Sequence, residues 1–180
     1  MKFFARKKMN STAAKEKVVK LHFYVQDLRI GHVSATVCEV ATGSITADSP
    51  YDFGSVHVLD DLVTAGPEID SSPVGRMQGL TTNADLSTYG VAMNLNFYLT
   101  AGKFAGSTLS ILGRNQVMDE ARELPVVGGT GTFRFTRGYA IQKTYSIDFA
   151  ANYAVLEYTI YATYDTKIGE SDDDVVVAEF

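Results

Sequence analysis

A short stretch near the start of the chain reads Leu21-His22-Phe23-Tyr24-Val25-Gln26-Asp27, and every second residue of it is apolar until the last. Because side chains alternate across a β-strand, Leu21, Phe23 and Val25 point to one face, and Asp27 follows them there. The stretch therefore predicts a strand that has one face in a hydrophobic core and carries a carboxyl group on that same face.

Similar short alternating runs continue to Tyr164, separated by clusters of Gly, Pro, Asp and Ser, and long helical periodicity is absent. Eight antiparallel strands in one compact domain usually avoid exposed edges by closing into a barrel or by folding into a sandwich. We therefore predict an all-β fold of one of these two kinds. The predicted strands are Lys20–Leu28, Val33–Ala41, Gly54–Val63, Gly75–Asn83, Tyr89–Thr100, Ser107–Gly113, Gly131–Ile141 and Tyr153–Tyr164.

The composition is that of one globular domain, with 180 residues of which 46% are hydrophobic and 21% charged. The single cysteine, Cys38, excludes an intrachain disulfide and any multi-cysteine metal site, and His22, His32 and His57 are too scattered to suggest a metal site. No apolar run approaches the length needed to span a bilayer as a helix. We expect no metal site and no membrane span.

Charge divides the chain into three parts. Residues 1–20 carry seven Lys or Arg and one Glu, residues 165–180 carry six acidic residues and one Lys, and the body between them is acidic. An acidic body disfavours binding to nucleic acid. We predict a basic tail over residues 1–17, a barrel or sandwich over 18–164 and an acidic tail over 165–180. The basic segment lacks the apolar stretch of a signal peptide.

A second stretch, Phe133-Arg134-Phe135-Thr136-Arg137-Gly138-Tyr139, carries a cation on its apolar face if it is a strand. Burial of an unpaired charge costs several kcal/mol, so Asp27 and Arg137 either face an interior pocket or have a structural place, in a buried salt bridge or just past the end of the core. Both readings stay open at this point.

Three other features carry weaker signals. Asp60 and Asp61 are interpreted as a cap near a turn rather than as an acid/base dyad, and the glycine-rich residues 127–131 as a tight turn between strands. In the strand around Met93–Leu99, Asn94, Asn96 and Tyr98 lie opposite an apolar face. This mixed outer face hints at an interface between copies of the chain.

Six stretches in order resemble the plant dirigent protein family, over about residues 20–164. The resemblance is to the branch without paired cysteines, and it implies an eight-stranded antiparallel β-barrel related to allene oxide cyclase. It also implies one interior pocket, no cofactor, a homotrimer and secretion to the apoplast. The stretches are Phe23-Tyr24-Val25-Gln26-Asp27-Leu28, Phe53-Gly54-Ser55-Val56-His57-Val58-Leu59-Asp60-Asp61, Pro73-Val74-Gly75-Arg76-Met77-Gln78-Gly79, Gly106-Ser107-Thr108-Leu109-Ser110-Ile111-Leu112-Gly113-Arg114-Asn115, Val126-Val127-Gly128-Gly129-Thr130-Gly131-Thr132-Phe133 and Arg137-Gly138-Tyr139-Ala140.

The resemblance implies control over the stereochemistry of a phenolic intermediate. The protein would guide two phenoxy radicals supplied by a laccase or peroxidase, or would promote loss of water and ring closure through a quinone methide, as in pterocarpan formation. Asp27 matches the family's pocket aspartate and Arg137 the arginine opposite it, so we expect Asp27 to act as acid or base with Arg137 as its electrostatic partner. The other expected substrate contacts are Phe23, Asp60, Leu80, Thr81, Thr132 and Phe135.

Three segments depart from the family's pattern. Thr132 stands where lignan-forming members have a second aspartate, Leu80-Thr81-Thr82-Asn83 replaces Phe-Tyr-x-Tyr, and residues 29–33 lack the usual Gly-Pro-Asn-Pro loop. These departures argue against pinoresinol-type coupling. Two alternatives remain: a ligand-binding, defence-related barrel without turnover, and a cyclase of the allene oxide cyclase type acting on a fatty-acid epoxide.

Overall fold

The computed structural model describes residues 16–29, 35–165 and 175–178, and these residues form a single ten-stranded sheet with two short 3-10 helices at Thr46–Asp48 and Gly131–Phe133. Among them, no helix has the length and apolar character needed to cross a membrane. The strands are β1 (Glu16–Leu28), β2 (Val37–Ala41), β3 (Val56–Thr64), β4 (Pro73–Asn83), β5 (Gly90–Leu99), β6 (Thr108–Gln116), β7 (Arg122–Thr130), β8 (Gly138–Asp148), β9 (Tyr153–Asp165) and β10 (Val175–Ala178).

Eight of these strands close into an antiparallel barrel. The sheet runs β1-β9-β8-β7-β6-β5-β4-β3, and β3 then pairs with β1 to complete the ring. Strand β2 adds to the outer edge of β3, and β10 pairs in parallel with β1. The prediction of an eight-stranded antiparallel β-barrel is confirmed, and the sandwich alternative is wrong.

The barrel interior follows the alternation seen in the sequence. Along β1, Leu21, Phe23, Val25 and Asp27 are buried on the inner face, as predicted. The ring of Phe97 lies 5.1 Å from that of Phe23. These inner faces give the barrel its hydrophobic centre.

One end of the barrel is closed by aromatic side chains. The ring of Phe104 lies 5.0 Å from that of Phe133 and 5.5 Å from that of Tyr164, and all three side chains are buried. Space for a ligand is consequently confined to the opposite end, where β1, β4, β6 and β8 end and β3, β5, β7 and β9 begin.

The strand predicted over Gly131–Ile141 is wrong in its first half. The glycine-rich residues 127–131 do not form a tight turn, because β7 runs through Gly128 and Gly129 to Thr130. A 3-10 helix follows, and Phe135 adopts a left-handed backbone conformation with φ of 65°. The chain therefore changes direction before β8 begins at Gly138, and strand parity does not apply to Phe133, Phe135 and Arg137.

The predicted tails fall only partly within the described residues. Residues 1–15, 166–174 and 179–180 lie outside them. Strand β10, which belongs to the expected acidic tail, pairs with residues 18–21 of β1. The expectation that the tail lies outside the sheet is therefore wrong for residues 175–178.

Replacement of Phe135 by glycine tests the backbone reversal before β8. Phe135 is 90% exposed, so its ring contributes little packing, and glycine removes the steric cost of a left-handed conformation. Phe135→Gly should raise the free energy of unfolding by about 0.5–1 kcal/mol. Phe149, 85% exposed and without a positive φ, is the control, and Phe149→Gly should lower that free energy by a similar amount. Urea denaturation of both variants checks this, and a loss of stability in Phe135→Gly would contradict it.

Candidate functional site

A cavity of about 350 Å³ occupies the open end of the barrel. Its apolar wall includes Leu59, Met77, Val91 and Met93, and its polar side chains come from several different strands. An apolar space of this size with a few convergent polar groups is typical of a small-molecule site. The other lining residues are Asp27, Arg29, Asp52, His57, Thr81, Asn83, Tyr89, Asn115, Val117, Arg122, Gln142, Thr144, Ile147, Asp148, Phe149, Asn152, Tyr153, Ala154 and Leu156.

Asp27 lines this cavity and forms an ion pair with Arg29. The guanidinium Nε donates to Oδ1 at 2.9 Å and Nη2 donates to Oδ2 at 3.0 Å, so both carboxylate oxygens are bound in a fork. The Asp27 side chain is 5% exposed and that of Arg29 is 55% exposed. The backbone N–H of Arg29 donates to the carbonyl of Asn152 at 2.8 Å, which fixes the residue to the connection between β8 and β9.

A second carboxyl group, that of Asp61, lies in the same wall but does not line the cavity. Asp61 is on the inner face of β3 between the buried Leu59 and Val63, and it is fully buried. The Thr36 hydroxyl donates to its Oδ1. Burial, followed by the charge of Asp27, raises the pKa of Asp61 to about 8. The Asp61 carboxyl is therefore neutral at pH 7, whereas Asp27 forms an ion pair.

The wall opposite β1 carries a buried arginine. Arg122 begins β7, is 5% exposed, and its Nη1 donates to the Asp119 carbonyl at 3.0 Å and to the Thr144 hydroxyl at 3.1 Å. No carboxylate of the described residues forms a salt bridge with it, and its Nε is buried without a hydrogen-bond partner. Burial lowers the pKa of Arg122, but a guanidinium remains charged. Because the Arg122 side chain lines the cavity, its guanidinium can attract a phenolic or carbonyl oxygen of a ligand there.

Two amides extend this polar wall. Asn115 on β6 donates from Nδ2 to the Gln142 Oε1 on β8 at 2.9 Å, and both residues are buried. The Asn115 Oδ1 is buried without a hydrogen-bond partner in the described residues. Both residues line the cavity, so this amide pair adds polar side chains to the wall that carries Arg122.

Of the eight residues predicted for the site, two line the cavity. Asp27 does so from the end of β1 and Thr81 from β4. Phe23 lies deeper in the core, 5.1 Å from Phe97 and 6.3 Å from Tyr158 between ring centroids. It supports the cavity from below and is not among its lining residues.

Two predicted contacts face away from the cavity. Asp60 lies on the outer surface of the barrel, where it accepts a hydrogen bond from Arg76 at 2.8 Å. Leu80 is 42% exposed on the outer face of β4. Both corrections follow from strand parity, because the inward positions of β3 and β4 are their neighbours Asp61 and Thr81.

Three predicted residues lie at the opposite end of the barrel. Thr132 is exposed, and its backbone N–H donates to the Ser107 hydroxyl at 3.1 Å; Phe135 is also exposed. The Arg137 side chain is 76% exposed and forms a salt bridge with Glu16 at 2.8 Å. The predicted pairing of Asp27 with Arg137 is therefore corrected: the partner of Asp27 is Arg29.

The sequence analysis missed four polar residues of this region: Arg29, Asp61, Arg122 and Gln142. Strand parity could have found Asp61, which alternates with Leu59 and Val63, and Arg122, which alternates with Leu124 and Val126. No such signal exists for Arg29, because it follows the end of β1 and its position is set by the fold.

A closed antiparallel barrel with a cavity at one end and charged groups in its walls is typical of small-molecule-binding β-barrels. The family model described as Dirigent-like protein matches residues 18–163. The chain therefore belongs to the dirigent protein family.

Curated relatives and solved structures agree with this assignment. The chain is 45% identical to Dirigent protein 21 of Arabidopsis thaliana, over 81% of this chain and 77% of the relative. It is also 45% identical to Pterocarpan synthase 1 of Glycyrrhiza echinata, over 81% and 78%. A solved structure of a pterocarpan synthase dirigent protein superposes with a TM-score of 0.77 at 41% identity, covering 87% of this chain and 90% of that one.

The two cavity arginines should respond differently to loss of their charge. Arg29→Met leaves the buried Asp27 carboxylate without its partner and should lower the free energy of unfolding by about 2 kcal/mol. Arg122→Met removes a buried cation that has no carboxylate partner, so it should leave that free energy within about 1 kcal/mol of wild type. Urea denaturation at pH 7 measures both changes. A larger loss in Arg122→Met than in Arg29→Met would contradict this account.

Proposed function

We propose that this dirigent protein binds a phenolic intermediate in its cavity and controls the stereochemistry of its loss of water and ring closure. The observation that carries the proposal is the ion pair of the buried Asp27 with the more exposed Arg29 at the cavity wall. Across the barrel lies Arg122, which has no carboxylate partner among the described residues. The names of the pterocarpan synthase relatives support this mode over radical coupling.

The distribution of polar groups supports a compact phenol rather than a lipid chain. Asp27 and Arg29 come from the end of β1, whereas Arg122 and Asn115 come from β7 and β6, three and four strands away around the ring. A phenolic substrate with oxygens at both ends can contact both groups while its rings pack on the apolar wall. A fatty-acid epoxide would leave most of these polar groups without partners, which disfavours the lipid cyclase alternative.

The chemistry assigns one role to each group. The Asp27 carboxylate removes the proton of a substrate phenol, and the bond from the ring-bearing carbon to the leaving hydroxyl breaks. That hydroxyl departs as water with the proton that Asp27 has accepted, which restores the carboxylate. A second phenolic hydroxyl then adds to the quinone methide carbon, and its proton passes to the quinone methide oxygen. Arg122, at the other end of the substrate, stabilises the negative charge that develops on the second phenolic oxygen as it loses that proton. These steps balance without an oxidant. The asymmetric walls of the cavity determine which face of the quinone methide carbon the second hydroxyl attacks.

The Asp27→Asn variant tests this function. The amide keeps the shape of the side chain but cannot accept the phenolic proton, so product formation should fall at least about 100-fold, a typical contribution of a general base. Incubation with racemic isoflavanols or with monolignols, each with and without laccase, followed by chiral chromatography identifies substrate, product and handedness.

Arg137→Leu is the matched control for this assay. Because Arg137 is exposed and pairs with Glu16 at the other end of the barrel, its loss should leave yield and enantiomeric excess unchanged. Undiminished activity in a folded Asp27→Asn protein would end the proposed role of Asp27. Stereoselective product that forms only when laccase is present would favour radical guidance instead. Tight binding of a phenol without any product would favour the ligand-binding alternative.

We also propose that the barrel self-associates through the outer face of β3 to β6, as the trimer that the resemblance implies. Val58, Leu80, Asn94 and Leu112 are successive partners across these four strands and form one exposed row. The three apolar members are 38%, 42% and 55% exposed. A continuous row of this kind supports an interface. Family membership likewise supports an apoplastic location.

Introduction of a charge into this row tests the interface. Leu112→Asp places a carboxylate in the proposed contact, at the most exposed apolar member of the row, and should convert the oligomer to monomer at micromolar concentration. Ile69→Asp is the control, because Ile69 is 57% exposed in the connection between β3 and β4 and lies outside the row. Light scattering of both variants measures the mass. A monomeric wild-type protein would contradict the proposal.

A further inference from the structure

The seam between β1 and β3 is short and splits at the cavity end. Only three residue pairs join these strands, namely Tyr24 with Thr64, Val25 with Val63 and Gln26 with Leu62. Beyond Gln26 the strands part, and Thr36 lies between them. Its backbone N–H donates to the Leu28 carbonyl at 2.9 Å, and its carbonyl accepts from the Asp60 N–H at 2.9 Å.

Two carboxyl groups lie at this split. Asp27 and Asp61 would form the next pair of the seam, and both side chains are inward and buried. Arg29 donates both of its described side-chain hydrogen bonds to Asp27. Asp61 receives one, from the Thr36 hydroxyl, and its Oδ2 is buried without a partner in the described part of the chain. The hydrogen-bond donors described at this split therefore serve both oxygens of Asp27 but only one oxygen of Asp61.

We propose that Asp61 is a positioning residue that holds a proton in the working site and so leaves Arg29 bound to Asp27 alone. This inference rests on the proposed function, because it assigns Asp61 an effect on catalysis that passes through Asp27. Asp61 does not line the cavity and does not contact the substrate.

The reason is electrostatic. An ionised Asp61 would be a buried carboxylate with a single donor, placed beside a like charge. The ionised Asp61 would compete with Asp27 for the guanidinium of Arg29. The two hydrogen bonds by which Arg29 orients Asp27 would then be shared between the carboxylates or lost. Loss of the Asp61 proton should therefore reduce the rate.

The charged and titratable groups that act on Asp61 come from three neighbouring strands. Burial and the charge of Asp27 raise its pKa, whereas the Thr36 hydrogen bond and the cations Arg29 and Arg76 lower it, which leaves the pKa at about 8. Tyr158 on β9 also faces Asp61 and is neutral, because burial raises its own pKa further. The Asp61 proton is consequently lost just above neutral pH.

The pH profile of product formation tests this proposal. Wild-type activity should fall about tenfold between pH 7 and pH 9, as expected for a group that titrates near pH 8. In Asp61→Asn, which cannot ionise, activity should fall by less than about twofold between pH 7 and pH 9. Asp60→Asn is the matched control, because Asp60 is the next residue on the same strand and faces solvent, so it should keep the wild-type profile. An unchanged alkaline decline in Asp61→Asn would overturn the proposal.

Thr36→Val provides a second variant with a predicted direction. Loss of the hydroxyl removes a hydrogen bond that lowers the pKa of Asp61, so the alkaline decline should move to higher pH. A move to lower pH would contradict the proposal.

Unfolding measurements decide the protonation of Asp61 without an activity assay. An aspartate carboxyl ordinarily has a pKa of 3.8, whereas the pKa of Asp61 in the folded chain is about 8. Between these two pH values, the folded chain therefore holds a proton that the unfolded chain has lost. Stability is therefore lost as pH rises through this window. The unfolding constant of wild type relative to Asp61→Asn should rise by up to tenfold per pH unit between about pH 5 and pH 8.

A ratio that does not change with pH would overturn the proposal even if the enzyme is active. If no phenol is converted at any pH, the proposed function fails, whereas the unfolding ratio still reports whether Asp61 holds its proton.

Discussion

Closure of the barrel along β1 is the constraint on which the site depends. All thirteen residues of β1 pair with β9, but only three pair with β3 on the other side. The sheet is thus closed by a short seam, and the ends of β1 and β3 are free to separate at the mouth of the cavity. Asp27 and Asp61 lie at that separation, where a continuous ladder would have enclosed their side chains between two strands with no room for Thr36.

One end of the barrel contributes mainly to stability, and the other end holds the candidate site. Phe104, Phe133 and Tyr164 fill one end with buried rings, which contribute hydrophobic stabilisation and leave no space for a ligand. At the other end, Arg122 is buried without a carboxylate partner, an arrangement that costs stability. A ligand oxygen that accepts from this guanidinium would offset that cost, so the unpaired charge is itself an argument for an oxygen-bearing ligand.

Much of this fold could be predicted from the sequence, because alternation is a local property. The inward face of β1, with Asp27 on it, followed from this alternation, whereas closure into an eight-stranded barrel was implied by the resemblance to the family. The predicted set nevertheless contained β2, which lies outside the ring, and lacked β7, whose Pro125, Gly128 and Gly129 are typical of turns. The placement of Arg137 failed for a related reason: Phe135 has the left-handed conformation that aromatic residues rarely adopt, and parity does not continue through it.

The polar groups of the cavity could be predicted less well, because they come from different strands and meet only after closure. Arg29 shows this most clearly. It lies in the segment that departs from the usual loop of the family, and the fold places its guanidinium against the Asp27 carboxylate. Both oxygens of this carboxylate already accept hydrogen bonds from a guanidinium at the end of its own strand, so it needs no arginine from across the cavity. Within the described part of the chain Arg122 is therefore left without a carboxylate partner, and the cavity has a carboxylate on one wall and a guanidinium on the other.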